Sequence, residues 1–240
     1  MKTVLITGAN RGIGFETAKQ LAQIDYFVYI ASRDKEKAQR AKQELQNSGL
    51  RNVDVLELDV ADIDSIKKAR RSLETKITKL DVLINNAGIR GEIPQLASKM
   101  PIERLRKVFE TNFFGVIQVT QEFIPLLKKS EVPIIVNVTS DLGSLTLRSD
   151  PGWKHYPLER AGYGPSKTAL NAYTIALAVE LKDWNFKVNC VNPGYTSTAF
   201  NNYTGTKPVA QGAAVIVKYA TLKENGPTGK FLSEEGETPW

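Results

Sequence analysis

The chain has 240 residues, 42% hydrophobic and 24% charged, with 17 Gly, 11 Pro and one Cys; at about 150 residues per domain it holds one large or two small domains, and the composition excludes a collagen, a long disordered chain and a heptad rod. No apolar run reaches the ~20 residues of a membrane helix, the first residues lack the apolar stretch of roughly 7–15 residues of a secretory signal, and a lone Cys190 suits a reducing compartment, so the sequence predicts a cytoplasmic protein with no membrane partner. The net charge of +6, from 32 Lys+Arg against 26 Asp+Glu, admits an anionic partner or a merely solvated surface.

Thr3-Val4-Leu5-Ile6 predicts a first strand, and the turn behind it reads Thr7-Gly8-Ala9-Asn10-Arg11-Gly12-Ile13-Gly14. Glycines at 8, 12 and 14 allow a tight turn and close approach to a pyrophosphate, while the following helix offers its N-terminal N–H groups. The Gly-x3-Gly-x-Gly spacing differs from the commoner G-x-G-x-x-G, so the position between strand and helix carries much of the reading; the alternative is a plain strand–helix turn. Phe27-Val28-Tyr29-Ile30 predicts the second strand, which ends in Ala31-Ser32-Arg33-Asp34. An acidic residue about 20 positions past the glycines would hold the ribose 2′-OH of NAD. Here Ser32 and Arg33 stand in its place, and Arg11 can approach from the glycine turn. Guanidinium forks suit a 2′-phosphate, so the sequence predicts NADP(H), with Asp34 left as the N-cap of the next helix.

A third strand, Val53 to Leu58, ends at Asp59, a candidate acceptor for an adenine amino group. The next helix carries Lys67, Lys68, Arg70 and Arg71, with Ile63, Ile66 and Leu73 near helical spacing. Its charges read as a wet face, and with no aromatics interleaved no nucleic-acid partner is expected. The fourth strand, Asp81 to Ile84, runs into Asn85-Asn86-Ala87-Gly88, which can hold a loop open against a ribose or serve as a turn. A long helix opened by Pro101 follows, on which Ile102, Leu105, Phe109, Asn112 and Val116 share a face, so the Asn112 amide points toward the sheet.

The fifth strand, Pro133 to Val138, is followed by Ser140, and Tyr163-Gly164-Pro165-Ser166-Lys167 comes 23 residues later. Tyr163 and Lys167 at i, i+4 share one helix face, and Pro165 requires that this be the first turn. An ammonium beside a phenol stabilises phenolate and lowers its pKa. Lys187 to Val191 and Phe231-Leu232 complete seven predicted strands. Apolar strands alternating with helices predict an α/β protein: a single-domain Rossmann fold over residues 1–240, with a doubly wound seven-stranded parallel sheet and helices on both faces. Ligands then bind beyond the carboxyl ends of the strands.

The set Thr7-Gly8-x3-Gly12-x-Gly14, Asp59, Asn85-Asn86-Ala87-Gly88, Asn112, Ser140, Tyr163-x3-Lys167 and Pro193-Gly194 resembles the short-chain dehydrogenase/reductase superfamily over essentially the whole chain. Arg11, Arg33 and the C-terminal stretch from Gly226 to Trp240 look like its carbonyl-reductase branch. The resemblance implies an NADPH-dependent oxidoreductase that reduces an aldehyde, ketone or quinone. Tyr163 is then the general acid, Ser140 positions the carbonyl oxygen, Lys167 binds the nicotinamide ribose and lowers the Tyr163 pKa, and Asn112 holds a water for proton resupply. Gly8, Asn10, Arg11, Gly12, Ile13, Gly14, Ser32, Arg33, Asp59, Val60, Asn86, Ala87, Gly88, Pro193, Gly194, Thr196 and Thr198 would line the cofactor, and no metal is implied. The alternative is a non-enzymatic NADP-sensing or scaffold protein on the same fold, against which the intact Asn112, Ser140, Tyr163 and Lys167 set speaks.

Two departures from the family pattern stand out. The Ser140–Tyr163 interval is about ten residues longer than usual and contains Trp153, His155, Tyr156 and Pro157, which predicts a loop or short helix at the substrate mouth. That insertion can cover the helix surface through which relatives dimerise, leaving monomer and homodimer both open. Ala199 to Lys207 is short where many relatives carry a longer lid, and its Phe200 and Tyr203 can close over an apolar substrate or simply pack down. The partner expected throughout is a small carbonyl or alcohol.

Overall fold

The computed structural model describes residues 1–240. Strands β1 (Thr3–Thr7), β2 (Phe27–Ser32), β3 (Val53–Glu57), β4 (Val82–Asn85), β5 (Ile134–Val138), β6 (Lys187–Val191), β7 (Phe231–Ser233) and β8 (Gly236–Glu237) form one sheet in the order β3-β2-β1-β4-β5-β6-β7-β8. The helices are α1 (Gly12–Gln23), α2 (Lys35–Asn47), α3 (Ile63–Glu74), α4 (Ile102–Phe109), α5 (Gly115–Leu127), α6 (Leu145–Arg148), α7 (Tyr163–Glu180) and α8 (Val209–Ala220).

The period-2 alternation of strand side chains divides the core into two halves. Val4, Ile6, Val28, Ile30, Ile84 and Val136 pack under Leu21 of α1, Leu45 of α2 and Ile216 of α8. Leu5, Tyr29, Leu83, Ile135 and Val188 pack under Ile66 of α3, Phe123 of α5 and Leu177 of α7. A sheet covered on both faces explains why its strands read as unbroken apolar runs. Each fully buried aliphatic side chain contributes about 1.5–3 kcal/mol, and the strand order reverses between β1 and β4, which opens the crevice above their carboxyl ends.

Three features differ from the sequence expectation. The sheet has eight strands: β8 folds back antiparallel on β7, pairing Leu232 with Glu237 and Ser233 with Gly236. Two residues with Gly at φ +115° are too short to carry a strand pattern. The predicted long helix is two helices joined by a π-turn, Glu110–Phe114. The wider turn rotates the faces against each other, so Val108 is buried while Ile102 is 55% exposed, although Asn112 does face inward and is fully buried. Arg70 leaves the wet face of α3: it is buried, donates from Nε to the Glu122 carbonyl at 3.0 Å and ion-pairs with Glu74.

Candidate active site

The carboxyl ends of the parallel strands open on one cleft of about 820 Å³. At one end lies the turn after β1. Gly8 and Gly12 have φ of +65° and +60°, the left-handed region that glycine enters freely. A Cβ on Gly8 would meet Ala87 Cα at 2.9 Å, so the two loops touch backbone to backbone there, and one on Gly14 would collide with the Asn86 side-chain amide. Asn86 makes that contact specific, donating from Nδ2 to the carbonyls of Thr7 at 2.8 Å and Gly8 at 3.2 Å. Helix α1 starts with no side-chain cap and no acidic residue in its first turn, leaving its first N–H groups free toward the cleft. Uncapped helix donors attract an anion.

Ser32, Arg33, Asp59 and Val60 continue the cleft wall. Neither Arg11 nor Arg33 forms an ion pair, whereas Asp34 is fully engaged. It accepts from the Lys37 N–H at 3.0 Å as helix cap and pairs with Lys37 Nζ at 2.7 Å, and the Lys37 side chain holds its carboxyl below the ordinary range.

At the other end Ser140, Tyr163 and Lys167 meet. Tyr163 opens α7 and Lys167 lies one turn further in, its Nζ 5.9 Å from the Tyr163 ring centroid. Lys167 is 5% exposed and donates to the Val138 carbonyl at 2.8 Å. Burial pushes its ammonium down to about 8, partly offset by Cys190. Burial pushes the Tyr163 phenol well above its ordinary value, Asp141 adds to this, and the Ser140 hydroxyl pulls the other way. This corrects the expectation that Lys167 lowers the phenol: the ammonium is turned to Val138 rather than to the phenol oxygen, and in the protein's own field desolvation wins. The phenol is thus protonated at neutral pH, the form that can donate. Phe200 packs on the Tyr163 ring at 5.8 Å between centroids.

Of the predicted site residues, all but one line this cleft. Asn112 stands behind it, exchanging two hydrogen bonds with Ile89: the Ile89 N–H donates to Oδ1 at 2.8 Å and Nδ2 donates to the Ile89 carbonyl at 2.9 Å. A third bond from Nδ2 reaches Ser166 Oγ at 3.1 Å. Thr196 lines the cleft, but its hydroxyl is spent on its own loop, donating to the carbonyls of Pro193 and Gly194 at 3.2 Å. The extended Ser140–Tyr163 segment forms α6 and a run of turns held by Arg148, which donates to the carbonyls of His155, Tyr156 and Leu158. Its His155 and Leu158 reach the cleft.

Sequence reasoning missed Gln95. It is 1% exposed; its Nε2 donates to the Arg90 carbonyl at 2.8 Å, and its Oε1 accepts from the N–H groups of Gly162 at 3.1 Å and Tyr163 at 3.0 Å. Gly162, the residue before α7, brings no cap of its own, so Gln95 caps that helix from a distant loop and fixes Tyr163. No local pattern reveals a cap 67 residues away.

A doubly wound sheet with a glycine turn at one end of its crevice and a hydroxyl, a phenol and an ammonium at the other defines a dinucleotide-dependent oxidoreductase. The family model described as short chain dehydrogenase matches residues 2–208, and the chain belongs to that family. It is 39% identical to "Short-chain dehydrogenase anuI" of Penicillium roqueforti over 97% of this chain and 94% of that one. The structure of salutaridine reductase from Papaver somniferum superposes with a TM-score of 0.86 at 30% identity, covering 98% of this chain and all of that one. NADPH-bound carbonyl reductase from chicken fatty liver gives 0.85 at 27% identity over 100% and 99%. No helix is long and apolar enough to cross a membrane.

Proposed function

We propose that this oxidoreductase reduces the carbonyl group of a small molecule with NADPH, with Tyr163 as the general acid. The observation that carries the reading is the convergence of Ser140, Tyr163 and Lys167 at the far end of a cleft whose near end presents free helix N–H groups and two unpaired arginines. The residues present fit the cofactor. Gly8, Asn10, Gly12, Ile13 and Gly14 would take the pyrophosphate, with Arg11, Ser32 and Arg33 at the 2′-phosphate. Lys37 neutralises Asp34, the one carboxylate beside Arg33 that would repel that phosphate. Asp59 and Val60 would meet the adenine, Asn86, Ala87, Gly88 and Lys167 the riboses, and Pro193, Gly194 and Thr198 the nicotinamide end, with Thr196 shaping their loop. NADPH, when bound, supplies the hydride.

The chain supplies the proton and the geometry. The Tyr163 phenol, held neutral by burial, donates its proton to the carbonyl oxygen as that oxygen gains charge. Ser140 is placed to donate to the same oxygen, its Oγ now bonded to Asp141 Oδ1 at 3.1 Å. Lys167, protonated at neutral pH and bonded to the Val138 carbonyl, would hold the nicotinamide ribose beside the phenol. Asn112 locks Ile89, so the loop over Lys167 keeps its shape. The buried Cys190, the chain's one thiol, supports a cytoplasmic setting. The test mixes the protein and NADPH with a panel of aldehydes, ketones and quinones and follows nicotinamide absorbance. Turnover abolished by Tyr163→Phe is expected; turnover untouched by that substitution would refute the mechanism.

A further inference from the structure

The substrate end of the cleft carries two cations with nothing to balance them. Arg90 and Arg160 both line it, and neither has a carboxylate within ion-pair distance. Of the three carboxylates on the cleft wall, Asp34 is bound to Lys37, Asp59 lies at the opposite end, and Asp141 accepts from the Ser140 hydroxyl beside the reacting position. The only polar bond of the Arg160 guanidinium is a donation to the neighbouring Glu159 carbonyl at 2.8 Å, which leaves most of its donors unused.

Both arginines stand on backbone that is fixed. The Arg90 carbonyl is held by Gln95 Nε2, and its neighbour Ile89 is locked to Asn112. Arg160 pairs with Gln95 as a β-bridge, the Ala161 N–H donates to the Gln95 carbonyl at 3.1 Å, and the Arg160 carbonyl accepts from the Gly164 N–H at 2.9 Å. One buried residue, Gln95, thus ties the two arginine-bearing segments together and ties both to Tyr163. Arg160 is three residues from Tyr163 in the chain, so an anion held there lies within one small molecule's length of the phenol. Across the cleft His155 packs edge-on to Tyr195 at 6.0 Å, and Phe200 covers Tyr163. A flat apolar body between these rings with an acidic group at the arginine rim fits every feature of this end.

We propose that Arg90 and Arg160 form an anion-recognition rim and that the substrate is a ring-bearing carbonyl compound that also carries a carboxylate. The inference rests on the carbonyl-reductase reading and names the substrate class for that site. A cleft with cationic walls concentrates anions, and a charge-assisted bond in a partly desolvated site discriminates strongly against a neutral analogue.

The test compares 4-carboxybenzaldehyde with 4-methylbenzaldehyde, close in size and different in charge, at saturating NADPH. The wild-type protein is expected to favour the carboxylate in kcat/KM by about tenfold or more. The preference should shrink toward unity in Arg90→Met/Arg160→Met and as ionic strength rises. Equal use of the two aldehydes by the wild type overturns the proposal. Benzoate and benzamide binding to the protein–NADPH complex, measured by calorimetry, gives a second readout that needs no turnover, and bound NADPH keeps benzoate away from Arg11 and Arg33. Tighter benzoate binding that the double substitution removes supports the rim, and equal binding overturns it. If neither aldehyde is reduced but benzoate is preferred, the carbonyl-reductase reading fails and the rim stands.

Discussion

Replacing Lys167 by Met should make the protein more stable and inactive, and the stability gain should depend on pH in one direction. Lys167 is 5% exposed, has a single polar partner, the Val138 carbonyl, and burial lowers its pKa from 10.5 to about 8. At about 1.4 kcal/mol per factor of ten in proton affinity, the folded state spends about 3 kcal/mol at neutral pH keeping this ammonium charged. Methionine has similar length and no charge, and it leaves the Val138 carbonyl without its donor, a loss of about 1 kcal/mol. The net gain is about 2 kcal/mol, or about 4–8 °C in Tm for a chain of this size. Because the folded pKa lies below the unfolded one, the wild type gains stability as pH rises from about 8 toward 10.5, while Lys167→Met does not. The difference should therefore be complete below about pH 8 and gone by about pH 10. Urea unfolding of both proteins at the two ends of that range measures it. A variant less stable than wild type at neutral pH, or a difference that does not change with pH, would refute the account of this lysine.

Arg33→Ala should raise the KM for NADPH by about ten- to a hundredfold while leaving NADH within about twofold; equal losses for both cofactors would contradict the placing of the 2′-phosphate. Gln95→Leu removes the acceptor for the Gly162 and Tyr163 N–H groups without touching the cofactor wall, so kcat should fall about tenfold or more while the NADPH dissociation constant stays put. A loss shared equally between kcat and cofactor affinity would mean that Gln95 merely supports the fold.

What the sequence made legible was whatever depends on strand ends. Each strand of the parallel sheet finishes at the same rim, so Gly8, Ser32, Asp59, Asn86, Ser140 and Pro193, scattered over most of the chain, fall on one cleft once the alternation of strands and helices is recognised. Local rules found the Asp34 cap and the start of α7 at Tyr163 as well. They failed where a long-range partner decides. The π-turn at Glu110–Phe114 lets Asn112 meet Ile89, and the constant helical period assumed from sequence placed Phe109, not Val108, in the core. Gln95 looks like any polar loop residue until the fold brings Tyr163 to it. The Tyr163 phenol went the opposite way from expectation because burial is a property of the assembled cleft, invisible to a residue pair counted at i, i+4.

The two rims of the sheet bear on how the chain behaves before and outside catalysis. An open sheet ends in unpaired backbone that can recruit the strand of another molecule. At one rim Asp54 of β3 is clasped by Lys42 at 2.9 Å and Lys76 at 2.7 Å, which lays two charged stems along that strand. At the other, β8 offers only Gly236 and Glu237, with Glu237 tied to Lys230. A newly made copy arriving at either side finds ammonium and carboxylate groups, or a ladder two residues long, in place of an apolar edge. The eighth strand, absent from the sequence reading, thus acts as a stopper: it ends the sheet on a ladder two residues long, too short to template a further strand.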